Sequence, residues 1–306
     1  MMRIPLLRPV VPPHVFCLLA EGVTYANVRR DPPRGFSHAR HFPYPPNTLG
    51  VAAAGTPLFT REAVAQAIEA GRRMSGGPLT RASVLFPDSW ARMLAIEVES
   101  LPDAPDAARE LLLWKLKKLL PGITAELSVV FKEMTPAGEL RRLLVAATPT
   151  ETLRSIEQSF EAAGVRVGAL APSSLALFEG LSPFLASRRP GDYALLHRSA
   201  DSFVFLVAND GAPIFFRQRP ADEEGGEHDQ EVRLSLSYYT EKLKGAGLAA
   251  VYVHDGRGGE TLSAASLPVP VEALSASLFE ADAAFDERVA ARPELVPAFA
   301  AVFGRK

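Results

Sequence analysis

The sequence predicts an α/β fold arranged as two domains or one large bilobed unit. Its 306 residues are enough for that size of core. Apolar strand-like segments alternate with amphipathic helices along the chain, which implies α/β layering. Both halves open with apolar strands joined by tight turns and go on to helices, with no repeat of solenoid length.

The elements follow in order. His14 to Arg29 carries an apolar run through Val15, Phe16, Cys17, Leu18 and Leu19. It turns at Glu21 and Gly22 and resumes with Val23, Tyr25 and Val28, a strand, turn and returning strand. Residues 31–47, rich in Pro, Arg and His, read as a loop. Residues 61–74 place Ala63, Val64, Ala67, Ile68 and Gly71 at helical spacing and stop at Ser75, Gly76, Gly77 and Pro78. Residues 83–87 and 91–98 read as strands. A helix over 106–119 ends at Pro121 and Gly122, strands follow over 127–134 and 140–148, and 151–163 is an amphipathic helix stopped by Gly164. Residues 165–170 form a further strand. The second half restarts after Pro190 and Gly191 with strands over 193–198, 202–209 and 212–219, the last two joined by Asn209, Asp210 and Gly211. An acidic loop over 219–229, a helix over 231–243, a strand over 249–254, a glycine-rich turn over 255–259 and a closing helix over 295–303 complete the pattern.

Composition excludes several classes of function. With 47% hydrophobic and 22% charged residues the chain is ordinary for a globular protein. A formal net charge of -2 gives no basic excess for nucleic acid. One cysteine, Cys17, excludes an internal disulfide framework. The 26 prolines are spread through the chain and suggest many short loops. Residues 1–13 have neither the sustained apolar core nor the cleavage site of a signal peptide, and charges and prolines interrupt every candidate membrane span. The expected location is cytoplasmic.

Several segments carry a resemblance. Leu111 to Ile123 (LLLWKLKKLLPGI) is similar to a helix of the form RWEAEQYIPF, including the proline that ends it. Leu143 to Val167 (LLVAATPTETLRSIEQSFEAAGVRV) opens like LLVAARKEVV and closes like EAAGLKP, and Pro172 to Leu177 continues it. Glu231 to Tyr239 (EVRLSLSYY) resembles EIRRSLEFY, and Pro293 to Gly304 resembles AVALGLALRG. In this order the segments resemble the type IV pilus assembly protein PilM family, relatives of the division protein FtsA and of the cytoplasmic part of the secretion protein GspL. The resemblance implies an actin-like, ribonuclease-H-like duplicated fold. It implies a first half over 13–190 with a small inserted subdomain over 101–164, and a second half over 191–306. The second half lacks most of its own inserted subdomain, because residues 219–230 alone fill that place.

The resemblance also implies where a nucleotide would lie. Actin-like ATPases grip phosphate with two hairpins, each carrying an aspartate and a glycine at a strand end. The aspartate organises Mg²⁺, and the glycine lets backbone N–H groups approach phosphate. The first hairpin here reads Leu18, Leu19, Ala20, Glu21, Gly22, with Glu21 longer than an aspartate and displaced from its place. The second reads Leu195, Leu196, His197, Arg198, Ser199, so His197 and Ser199 stand at the aspartate and glycine positions. Histidine does not serve a hard Mg²⁺ ion as a carboxylate does, and His197 reads as an ordinary strand-end residue. The adenosine-side turn reads Asp255, Gly256, Arg257, Gly258, Gly259; its three glycines keep a tight turn, and Arg257 could meet a phosphate or a partner carboxylate. The implied chain is a pseudo-ATPase without cofactor or metal. The alternative is an active actin-like ATPase binding ATP and Mg²⁺ through Glu21, Asp201 or Asp255.

What the resemblance implies of partners is a cytoplasmic scaffold at the inner face of the inner membrane. It would hold the N-terminal tail of a PilN-like bitopic protein in a groove between residues 13–100 with 165–190 and residues 101–164. Trp114 and Lys118 are the candidate contacts, although the leucines around Trp114 at helical spacing also read as core. Lys115, Lys117, Lys118, Arg141 and Arg142 form a basic group, read either as a solvated face or as a patch for an anionic membrane surface. His38 and His41 read as residues of a solvated loop, with no second pair to complete a metal site. Ser173 and Ser174 read as a helix cap.

Overall fold

A computed structural model describes residues 11–31, 35–44, 60–120, 122, 124–136, 138–200, 202–220, 227–256, 269–275 and 292–303. The first half contains β1 (His14–Leu18), β2 (Gly22–Arg29), β3 (Gly35–Pro43), α1 (Arg61–Ser75), β4 (Arg81–Phe86) and β5 (Arg92–Val98). It continues with α2 (Pro105–Leu119), β6 (Leu127–Glu133), β7 (Arg141–Pro149), α3 (Thr150–Ala162), β8 (Arg166–Pro172) and α4 (Ser173–Arg188). The second half contains β9 (Asp192–Arg198), β10 (Ser202–Asn209), β11 (Ala212–Pro220), α5 (Glu227–Ser237), β12 (Leu248–Asp255), β13 (Val271–Ala273) and α6 (Leu295–Phe303).

One topology occurs twice. The first sheet runs β3-β2-β1-β4-β8 and the second β11-β10-β9-β12-β13. In each, three antiparallel strands are extended by two parallel ones. The central strands are buried on both faces, and the sequence shows why. In β10, Phe203, Phe205 and Val207 enter a core shared with Val232 and Tyr239, while Val204, Leu206 and Ala208 face the main core. An unbroken apolar run suits a strand covered on both sides. The main core also gathers α1, α3, α4 and α6 around the first sheet.

A third sheet, β5-β7-β6, carries α2 on one face. Ala108, Leu112 and Leu116 of α2 meet Val129, Phe131, Leu143 and Val145 there. Leu144 and Ala146 of β7 point the other way, into the main core. β5 therefore belongs to this small unit, and α3, expected within it, packs instead on β8 and α1. The small unit is also tied to the second sheet. Buried Arg142 Nη1 donates to the Ile214 carbonyl at 2.9 Å, Thr135 N–H donates to the Pro213 carbonyl at 2.7 Å, and Gln218 Oε1 accepts from Met93 N–H at 2.8 Å.

Three local expectations change. Residues 35–43, read as part of a loop, form strand β3; Phe36 is buried against Phe299 on one face, and beyond a bulge His38, Arg40 and buried Phe42 share the other. The expected acidic loop is shorter, because β11 reaches Pro220 and α5 begins at Glu227, leaving residues 221–226 between them. The helix after it changes register, with Tyr238–Lys242 in a π-helical turn.

Candidate functional site

The two sheets bring the two predicted hairpins to one cleft. It is lined by Leu19 and Glu21 from the β1–β2 turn, His197, Ser199 and Ala200 from the β9–β10 turn, and His254 and Gly256 after β12. Asp88, Ser173, Glu294 and Pro297 complete the lining. The cleft's volume is about 80 Å³, well below the ~300 Å³ at which small-molecule sites begin.

His197 is no ordinary strand-end residue. It is 2% exposed, and its ring stacks on that of His254, with centroids 4.8 Å apart. The parallel register of β9 and β12 sets His254 beside His197, so the pair follows from strand alignment. The hydrogen-bond order fixes the protons. His254 Nε2 lies 2.8 Å from the Pro293 carbonyl, which can only accept, so Nε2 carries a hydrogen. Burial first, and the neighbouring His197 second, push the His254 imidazole down to about 3, so the ring is neutral and Nδ1 is an acceptor. His197 Nδ1–H then donates to it at 2.8 Å. The opposite nitrogen of His197, Nε2, faces Asp88 Oδ2 at 3.3 Å.

Asp88 comes from the first half, in the short 3₁₀ turn Asp88–Trp90 between β4 and β5, and its carboxylate is fully buried. Its Oδ1 accepts from the Ser174 amide at 3.0 Å and the Ser174 hydroxyl at 2.9 Å. Ser173 and Ser174 are therefore not a self-made cap; a carboxylate 86 residues away satisfies the first turn of α4. The series Ser174, Asp88, His197, His254, Pro293 joins the two halves across the cleft.

Two further carboxylates of the cleft region, Asp255 and Glu294, are engaged as well. Asp255 receives Arg198 Nη2 at 2.5 Å in a buried cross-strand pair. Glu294, which sequence reading passed over, accepts from the Thr24 hydroxyl at 2.7 Å and Arg292 Nη1 at 3.1 Å. Since that hydroxyl donates to Glu294, His41 Nδ1–H donates to Thr24 Oγ1 at 2.9 Å. His41 is thus half-buried and tied down in β3, and burial is the first cause that lowers its pKa. Glu21 is exposed at the rim of the cleft. Asp201, Arg257, Gly258 and Gly259 lie outside the described residues.

The small residues have local duties. A Cβ at Gly22 would lie 2.4 Å from the Phe42 carbonyl oxygen and 2.8 Å from the His41 ring, so glycine there admits β3. Gly256 N–H donates to the Arg198 carbonyl at 2.6 Å, and a Cβ there would lie 2.9 Å from that oxygen. Ser199 N–H donates to the Ser202 carbonyl at 2.8 Å, and its hydroxyl meets Ser202 Oγ at 2.9 Å. These amides close turns of the protein. Among the described residues no three His, Cys, Asp or Glu side chains converge to hold a metal. Of the described carboxylates at the cleft, Asp255 is held by Arg198, Glu294 by Arg292 and Thr24, and Asp88 by Ser174, while Glu21 stands exposed and histidine occupies the strand end.

Trp114 and Lys118 are placed differently from expectation. Trp114 is 53% exposed, so it is not core, and Lys118 Nζ lies 3.7 Å over its ring. Both project from α2, which is separated from the main core by the small sheet. They are not in a groove between the small unit and the first sheet. That junction holds Lys132 of β6 instead, 2.7 Å from Glu179 of α4 and over the Phe178 ring at 5.0 Å, with half-exposed Val130 on the same strand face. Arg142, expected in a basic surface group, is buried, and Arg141 pairs with Glu133.

Duplicated five-stranded sheets, each with an antiparallel hairpin feeding one shared cleft, define the actin-like fold. Among solved structures the chain is similar to one of a PilM-PilN type IV pilus biogenesis complex, at 19% identity and a TM-score of 0.68, covering 97% of this chain and 98% of that one. Weaker likenesses are the cytoplasmic domain of EpsL, an inner membrane component of the type II secretion system of Vibrio cholerae, and a Bacteroides thetaiotaomicron protein with an actin-like ATPase fold and unknown function. The first has 13% identity, a TM-score of 0.47, and coverage of 92% of this chain and 94% of that one. The second has 10% identity, a TM-score of 0.46, and coverage of 85% and 90%. No protein-family model and no curated protein matches the sequence.

Proposed function

We propose that this chain is a non-catalytic scaffold, a pseudo-ATPase without bound cofactor, in a type IV pilus or type II secretion-like assembly. It works at the inner face of the inner membrane and holds the N-terminal tail of a PilN-like bitopic protein. The observation that carries the reading is the cleft itself. The strand ends where an actin-like ATPase would hold its phosphates carry the Asp88, His197 and His254 series and the Arg198–Asp255 pair, which supports a cleft used for structure. A small unit, complete with its own core, is meanwhile docked between the two sheets. Likeness along the full chain to one member of a PilM-PilN complex supports the choice of partner. The tail would lie where the small sheet meets α4, beside Val130, Lys132 and Glu179.

The test is titration of the full chain with a synthetic peptide of the cytoplasmic tail of a PilN-like protein from the same organism. Saturable binding, weakened about tenfold by Val130→Asp, is expected, since a carboxylate would replace an apolar contact. Absence of binding by the parent chain would sink the reading.

A further inference from the structure

The outer face of α2 carries a chemistry that the cleft and the small unit's core do not use. Leu112 and Leu116 turn inward, and Trp114 lies on the opposite side of the helix. Lys117 and Lys118, three and four positions on, flank it at helical spacing. Lys118 Nζ sits over the indole, and Lys115 Nζ reaches the Glu97 carbonyl at 2.6 Å. Leu119, at the end of the helix, is 55% exposed. Residues 111–120 hold these three lysines and no acidic residue, with Glu110 one turn before Trp114.

We propose that this face docks on the surface of an anionic lipid bilayer. Charge complementarity selects that occupant: three ammonium groups stand within two helical turns, in a chain whose overall charge is slightly negative. Basic segments gather at anionic leaflets within a Debye length. An indole with apolar body and polar edge settles at headgroup depth, and lysine stems lie along apolar surface with their heads in water. A single indole on a helix ridge, ringed by cations, matches a flat, soft, negative surface. None of the described helices is long and apolar enough to cross a membrane. Such an attachment is weak alone and acts with a second anchor.

The test is co-sedimentation of the full chain with vesicles of phosphatidylcholine, with and without about a third phosphatidylglycerol. A Trp90→Phe background makes Trp114 the only indole, so its emission reports insertion. Binding to the anionic vesicles alone, with a blue shift of Trp114 and release by high salt, is expected. Lys115→Gln, Lys117→Gln and Lys118→Gln together should weaken binding about tenfold or more. The corresponding triple arginine variant should keep it. Equal binding to neutral vesicles, unchanged binding of the triple glutamine variant, or a Trp114 shift seen only with a partner tail peptide would each overturn the proposal.

Discussion

Gly180 of α4 lies so close to Ala300 of α6 that a Cβ on Gly180 would stand 1.9 Å from the Ala300 carbonyl oxygen. The obstacle is backbone inside a packed helix pair and cannot swing aside. Gly180→Ala should therefore destabilise the fold by roughly 3 kcal/mol, despite alanine's better helix propensity. Gly122→Ala, with open space around its would-be Cβ, should be close to neutral. Urea denaturation of the two variants makes the comparison, and equal midpoints would remove the close-crossing argument.

Acid should weaken the protein through His254. Its folded pKa of about 3 lies below the ordinary 6.5. Between those values the unfolded chain takes up a proton that the folded chain refuses. The contribution is complete above about 6.5 and is lost as pH falls toward 3, by at most ~1.4 kcal/mol per pH unit. His14 and His41, also lowered by burial, add the same sign. His254→Gln should be less stable at neutral pH and show a flatter acid slope; an unaltered slope would assign the effect to other groups.

Asp88 should matter to both halves at once. Asp88→Ala strips Ser174 of its acceptor and leaves His197 facing a void, and a cost of about 3–5 kcal/mol is expected. Asp88→Asn keeps an acceptor for Ser174 and removes only the charge, so it should cost less. Amide exchange in β9 and the first turn of α4 should rise together in the alanine variant. A rise confined to one of them would break the claimed link.

Nucleotide should leave the melting temperature unchanged. A micromolar site at millimolar MgATP would add about 4 kcal/mol to unfolding, easily seen in a thermal scan. Should such a shift occur and vanish in Glu21→Ala or Asp255→Ala, the chain would bind nucleotide through unusual ligands, and turnover would then be measured directly.

The paired strands of both halves were legible because their apolar runs stop at short turns, as at Glu21–Gly22 and at Asn209–Gly211. The strand β3 was hidden because a bulge breaks its alternation and one face mixes His38 and Arg40 with Phe42, a pattern that reads as a loop. Trp114 misled because it sits among leucines in sequence but two positions from the buried Leu112 and Leu116, on the opposite face of the helix. The cleft positions Glu21, His197, Ser199 and Gly256 could be placed by resemblance. Asp88 and His254 could not, since their partners lie 86 and 57 residues away and no spacing marks them. The roles of Gly22 and Gly256 were equally out of reach, because each answers to a neighbour brought by tertiary packing.

The return of α6 to the first sheet has a consequence for synthesis. It packs on α4 and against β1, β2 and β4, and Cys17 Sγ–H points to the Glu294 carbonyl 277 residues along. The first half therefore cannot finish its own wall until the whole second sheet has been translated. On the ribosome it waits with an open apolar flank at Phe36 and Phe184, which meet Phe299 and Phe303 of α6, a period in which chaperone capture and aggregation compete with folding. A slow late codon stretch or a stop before residue 292 would thus harm the end made first.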